Sequence, residues 1–162
     1  MTSRRALIGL VAAALAVPAA VLVGGSTATP AAAQVAAVYT GIVKGVAVGG
    51  YDPVAYFTEK KPVKGNPAVS HDHEGAKYYF ASEANRDAFK AEPAKYAPQY
   101  GGYCAWAVSQ GYTAHGDPNA WTVHNGKLFL NYNQSVKTNW EKDIPGNVSK
   151  GDAEWPKVIG KK

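Results

Sequence analysis

The chain has a single cysteine, Cys104, and a single methionine, Met1, among 162 residues. One cysteine excludes a disulfide within the chain and excludes an all-thiolate zinc centre. Arginine is nearly as scarce, since only Arg86 follows Arg4 and Arg5. The formal charge of +5 becomes +3 without those first two arginines, and the remainder is dispersed lysine. Nucleic-acid binders concentrate positive charge and fork arginine onto phosphate, so no nucleic-acid partner is expected. No phosphate-cradling glycine loop, dinucleotide fingerprint or paired-carboxylate signature occurs, which removes the best-marked enzyme classes. No internal repeat is apparent in the residues, and low complexity is confined to the start.

That start reads "MTSRRALIGLVAAALAVPAAVLVGGSTATPAAAQ". A basic pair, an apolar run from Ala6 to Val23 and the small residues Ala31-Ala32-Ala33 predict a signal peptide over 1–33. Arg4-Arg5 ahead of the run fits the twin-arginine export pattern. The expectation is a periplasmic or secreted protein with a flexible lead over 34–45 and one domain over 46–160. Cleavage would leave no membrane attachment, and the alternative is a leader retained as an anchor. Without disulfides in an oxidising compartment, stability has to come from the core, and the remaining length permits one.

Along the rest of the chain, Ile42 to Val48 is β-branched and reads as a short strand. "VSHDHEGAKYYFAS" predicts a hairpin turning at Glu74-Gly75 and returning over Lys77 to Ala81. Ser82 is placed to cap a helix "EANRDAFKA", with Glu83 in its first turn and Pro93 opening another short turn after it. If Gly102 to Ser109 is helical, Tyr100, Tyr103, Cys104, Ala107 and Val108 make one apolar face with the cysteine at its centre. "AWTVHNGKLFLNY" predicts a second hairpin around Asn125-Gly126. A helix carrying Val136 and Trp140 and a short amphipathic tail carrying Trp155 and Ile159 complete the chain. The fold class expected is α+β, a small antiparallel sheet of two hairpins covered by several short helices.

At "YYFASEANRDAFKAEPAKYAP" the chain resembles the YHS domain family. Tyr78, Tyr79, Phe80, Ser82, Glu83, Phe89, Pro93 and Tyr96 follow that family's order and spacing, and the likeness extends over most of 46–158. The resemblance implies a metal-handling function. Relatives of that kind carry cysteines in the corner between strand and helix, where this chain has Ala81 and Asn85, and Val69-Ser70-His71 stands near the place of the naming tripeptide.

The candidate metal donors are Cys104, His71, His73 and His115, for copper or zinc. His71 and His73 alternate, so on a strand both rings leave the same face. Two imidazoles are half a site, because such ions take three or four donors. Cys104 would add a thiolate if its helix packed under that hairpin. The competing expectation makes Cys104 a buried core residue, His115 a loop residue and His124 a solvated neighbour of its turn. A thiol enzyme would need Cys104 activated by a base, whereas an apolar stripe raises a thiol pKa. Asp52, before Pro53, is expected to bond its own turn. Tyr51, Tyr56, Tyr78, Tyr79, Tyr103, Trp106, Trp121 and Trp140 form either the core or the walls of a pocket for a small apolar ligand. The reading is an exported, non-enzymatic binding module for copper or zinc. Its alternative is a metal-free module for a small molecule or an envelope protein, with no catalytic residues assigned.

Overall fold

A computed structural model describes residues 34–160 of the chain, and the expected leader lies outside them. After the lead comes a tight 3-10 turn over Ala47–Gly50, a short helix α1 (Ala55–Thr58) and a hairpin of β1 (Asn66–His73) and β2 (Ala76–Phe80). Helix α2 (Glu83–Ala91) follows, capped by Ser82, whose Oγ accepts the Asn85 N–H at 3.2 Å. Pro93 starts α3 (Pro93–Tyr96), where its missing N–H costs nothing. A second 3-10 turn over Gln99–Gly102 leads into α4 (Ala105–Ser109) and a hairpin of β3 (Asp117–His124) and β4 (Lys127–Asn131). Then come α5 (Gln134–Trp140) and, after a short turn, α6 (Ile144–Val158), which packs on α4. Among the described residues no helix is long and apolar enough to cross a membrane. The class is α+β, as expected, with each hairpin forming its own two-stranded ladder.

Two expected elements are corrected. Ile42 to Val48 does not form a strand; only isolated bridges of Val43 with Val46, and of Val46 with Lys77, occur there. Val48 has φ 53° and Gly49 φ 58°, a left-handed bend that ends any extended run. For a β-branched residue that conformation costs about 1–3 kcal/mol, offset here by burial of Val48 in the core. The helix expected from Gly102 begins only at Ala105, because Tyr100, Gly101 and Gly102 also have positive φ and Tyr103 is extended. The amphipathic tail is in turn longer than expected, a helix beginning at Ile144 with Asp143 as its cap.

A repeat that the sequence reading does not find is present in the backbone. Val48, Gly49 and Gly50 have φ of 53°, 58° and 83°; Tyr100, Gly101 and Gly102 have 54°, 59° and 81°. Both turns precede a short helix and a hairpin with the same irregularity. Asn66 pairs with Phe80 and Ser70 with Tyr79, whereas Asp117 pairs with Asn131 and Trp121 with Leu130. Asn66 Oδ1 accepts the Ala68 N–H at 3.0 Å, and Asp117 Oδ1 accepts the Asn119 N–H at 2.8 Å. Each hairpin turns through a left-handed pair, Glu74-Gly75 or Asn125-Gly126. Each then enters a capped helix that buries one large aromatic, Phe89 or Trp140, without exposure. Asn133 is the second cap, accepting the Val136 N–H at 2.9 Å. The chain is therefore two copies of one motif.

The copies interlock through β4. Leu128 and Leu130 join the first cluster, around Tyr56, Tyr78, Phe80 and Phe89. Phe129, on the opposite face, joins the second, around Tyr100, Tyr103, Val108 and Trp140. In both copies a strand aromatic packs at a tilt against the helix anchor, Tyr78 on Phe89 at 4.7 Å and Phe129 on Trp140 at 5.1 Å between centroids.

Candidate functional site

The repeat makes two equivalent corners, each where the loop after the glycine turn meets the end of a hairpin and the start of a helix. In the first corner the loop residue is Asp52, which is fully buried. Its carboxylate accepts the Val54 N–H at 2.9 Å, the Ala81 N–H at 2.8 Å and the Asn85 Nδ2–H at 2.7 Å. The expected bond to its own turn is there, and the same side chain also ties that turn to the hairpin and to α2. Three donors engage both carboxylate oxygens and tie turn, hairpin and helix together, so this corner is closed.

In the second corner the loop residue is Cys104. Its backbone is held as Asp52's is: the Cys104 N–H reaches Ala114 O at 2.9 Å, the Asp52 N–H Val63 O at 2.8 Å. One partner that would close the corner has changed: Val136 stands for Asn85 and brings no side-chain donor, whereas Tyr132 and Trp106, in the places of Ala81 and Val54, keep their backbone N–H groups beside the sulfur. The Trp106 N–H turns to Asn131 Oδ1 at 3.1 Å, and the Cys104 thiol lies 3.8 Å from the same oxygen. Asn131 is wholly buried and its Nδ2 has no partner. Burial raises the Cys104 pKa, and N–H groups of Ala107, Tyr132 and Trp106 around the sulfur oppose the shift without cancelling it.

This corner is open where the first is closed. A cavity of about 330 Å³ lies against it, lined by Cys104, Trp106, Ala107, Tyr112, Ala114, Tyr132 and Val136. No charged side chain is among them. Tyr112 and Tyr132 are 53% and 45% exposed, two of the most exposed large apolar residues in the described chain. Large aromatics left in water beside an apolar hollow are a feature of ligand sites, since folding alone gains nothing from them.

The expected metal donors fall into two groups. His71 and His73 do share a face, with rings against Phe89 at 6.3 and 5.5 Å between centroids. His73, with Glu74, also lines a cavity of about 420 Å³ beside Tyr100 and Trp155. Cys104 is on the other motif, buried beneath its cavity as the competing expectation held. His115 is brought to the Cys104 corner: its backbone bridges Tyr103 and its ring lies 4.3 Å from that of Tyr132. Among the described residues no three His, Cys, Asp or Glu side chains are grouped to hold a metal ion. Sequence reasoning missed Asn131, Tyr112, Tyr132 and Val136, whose role follows from the second corner being a copy of the first. The doubled Gly-Gly-Tyr, at 49–51 and 101–103, was the available signal.

The raised thiol pKa has a measurable consequence. The fold favours the protonated form, so this stabilisation is complete below the unfolded pKa of about 8.5 and is lost as pH rises through the higher folded value. Alkylation of Cys104 by iodoacetamide at neutral pH is expected to run more than about tenfold slower than for a free thiol. Stability should fall above about pH 9, and Cys104→Ala should remove that part of the fall. Rapid labelling at pH 7 would contradict the burial.

The family model of the YHS domain matches residues 54–100, from the start of α1 to the second glycine turn. The matched segment is most of the first copy. No curated protein and no solved structure matches the chain.

Proposed function

Residues 54–100 belong to the YHS domain family, and from that premise we propose that this chain is an exported, non-enzymatic binding module whose ligand enters the cavity over Cys104. One observation carries the reading: the second copy of a closed structural corner is open, apolar and flanked by exposed Tyr112 and Tyr132. Export rests on the Arg4-Arg5 leader. The absence of catalytic chemistry rests on the thiol, which burial keeps protonated and which faces only Asn131 Oδ1, an amide oxygen that cannot serve as a base.

A second reading keeps copper or zinc as the ligand. It is supported by the family likeness, by His71 and His73 leaving one strand face, and by His115 lying at the corner of Cys104. Each group supplies two donors, so an ion would need further ligands from water or a second molecule.

One comparison separates the two. Intrinsic tryptophan fluorescence and thermal unfolding are followed while small neutral aromatics, and separately Zn²⁺ or Cu²⁺, are added. The organic reading expects saturable quenching and a higher Tm with the aromatics. Tyr132→Ala should weaken that binding about threefold to tenfold while leaving Tm of the free protein within a few degrees. Tight metal binding abolished by His71→Ala or Cys104→Ala, with no response to aromatics, would replace it with the metal reading.

A further inference from the structure

Each hairpin has one outer edge covered: Val46 bridges Lys77 of β2, and Cys104 bridges Leu130 of β4. The outer edges of β1 and β3 have no strand beside them. The two are not alike. β1 carries the exposed Asp72 between its histidines, a charge of the kind that keeps another strand from pairing. The edge of β3 is Trp121-Thr122-Val123, strong strand formers without a charge. His124 pairs with Lys127 across a two-residue turn, so alternation along the ladder turns the N–H and C=O of Trp121 and Val123 outward. Among the described residues no hydrogen bond from outside the hairpin reaches those groups.

A hollow lies on each face of the sheet at this edge. On the face of Trp121 and Val123, one of about 300 Å³ is walled by Tyr56, Phe57 and Lys60. The Tyr56 ring lies 5.3 Å from that of Trp121 between centroids. On the face of Thr122, one of about 410 Å³ is walled by Asn119, Gln134, Lys137 and Glu141. There Thr122 Oγ1 donates to Glu141 Oε1 at 2.7 Å and Lys137 Nζ is 2.9 Å from the same oxygen, so the two charges are matched. In the first hollow Lys60 is the single charged side chain; its neighbour Lys61 is paired with Glu59, whereas Lys60 has no ion-pair partner among the described residues. Successive side chains of an added strand point to opposite faces and would enter the two hollows in turn. We infer that the β3 edge takes up an extended segment of a partner protein as a third strand. Its apolar side chains fill the Tyr56 hollow, uncharged polar ones between them face Thr122, and an acidic residue meets Lys60. A second copy of this chain fits less well, since a twofold between antiparallel strands puts both Lys60 side chains on one face of the joint sheet. None of these residues lines the cavity over Cys104, so the two sites stand or fall separately.

A capped heptapeptide alternating leucine with serine and ending in aspartate tests this on the whole protein by ¹⁵N-resolved titration. Saturable shifts are expected at Trp121, Thr122 and Val123, with Trp106 and Val136 at the Cys104 cavity unmoved. Two further peptides carry N-methyl groups on alternate backbone nitrogens. The one methylated on the nitrogens that face β3 should bind more than about tenfold weaker, having lost several main-chain hydrogen bonds, and the other should bind within about threefold of the parent. Val123→Pro removes an outward N–H without touching the β4 ladder and should abolish binding. Lys60→Glu, a surface change that leaves the hairpin intact, should weaken binding about threefold to tenfold and reverse the preference toward a peptide ending in lysine. Equal losses for both methylated peptides, or no shifts at β3, overturn the inference and leave the proposed function standing. Self-association without peptide, lost in Val123→Pro, overturns it in favour of a second copy on the same edge.

Discussion

Asp52→Ala is expected to destabilise the protein by about 3–5 kcal/mol and to lower Tm by about 10–20 °C. The substitution leaves the N–H groups of Val54 and Ala81 and the Asn85 amide without their acceptor, in a corner where Asp52 is fully buried. Each lost partner costs about 1–3 kcal/mol, less for the Asn85 amide, which can turn to water. Asp52→Asn should fall between, since it keeps one oxygen but points an NH₂ at donors. The matching substitution in the second copy, Cys104→Ala, should cost only about 1–2 kcal/mol, because a thiol is a weak acceptor and its loss removes one atom's packing. Chemical denaturation of the three variants reads the difference. Similar losses for Asp52→Ala and Cys104→Ala would contradict the asymmetry between the corners.

Trp140→Ala is the second large effect, about 3–5 kcal/mol, from emptying the largest fully buried side chain of the described chain. Phe89→Ala, its counterpart in the first copy, should cost a similar amount. Trp140→Phe should be far milder, within about 1 kcal/mol of the parent. The indole Nε1 is buried without a partner, so removing it relieves a cost that offsets the lost apolar area. The tilted contact with Phe129, 5.1 Å between centroids, survives with the smaller ring. A loss for Trp140→Phe as large as for Trp140→Ala would mean that the indole N–H has a partner after all.

Much of the local structure was legible because it depends on neighbours in the chain. Asn125-Gly126 forms the left-handed turn its residue types favour, Ser82 caps α2, and Pro93 opens α3. The burial of Cys104 was also legible, though for a different reason. It is not the middle of a helical stripe, because Gly101 and Gly102 break the helix, and it is buried as the first residue before α4, beneath the corner. A Cβ at Gly101 would strike the Ala37 carbonyl oxygen, so glycine is required there by the lead segment, a contact far away in sequence. Ile42 to Val48 misled because β-branched composition speaks for a strand while Gly49 and Gly50 set the backbone.

Beyond the doubled Gly-Gly-Tyr, the repeat was hard to read for a physical reason. Hairpin register, capping and a left-handed turn are conserved by geometry, whereas the residues that fill them were free to change. Phe80 faces the core where Asn131 stands in the other copy, and Phe89 corresponds to Trp140. Asp52 could be read as bonding its own turn, but its reach to Ala81 and Asn85 depends on how the hairpin docks. The candidate site inherits that difficulty, since its meaning lies in the comparison of Cys104, Tyr132 and Val136 with residues half a chain away.

Backbone ¹⁵N resonances recorded during titration with a neutral aromatic test the account most directly. Saturable shifts at Trp106, Tyr132 and Val136, with Val54, Ala81 and Asn85 unmoved, are the predicted result: the second corner admits a ligand and the first does not. Shifts confined to the Asp52 corner or to His71 and His73, or equal shifts at both corners, would contradict it.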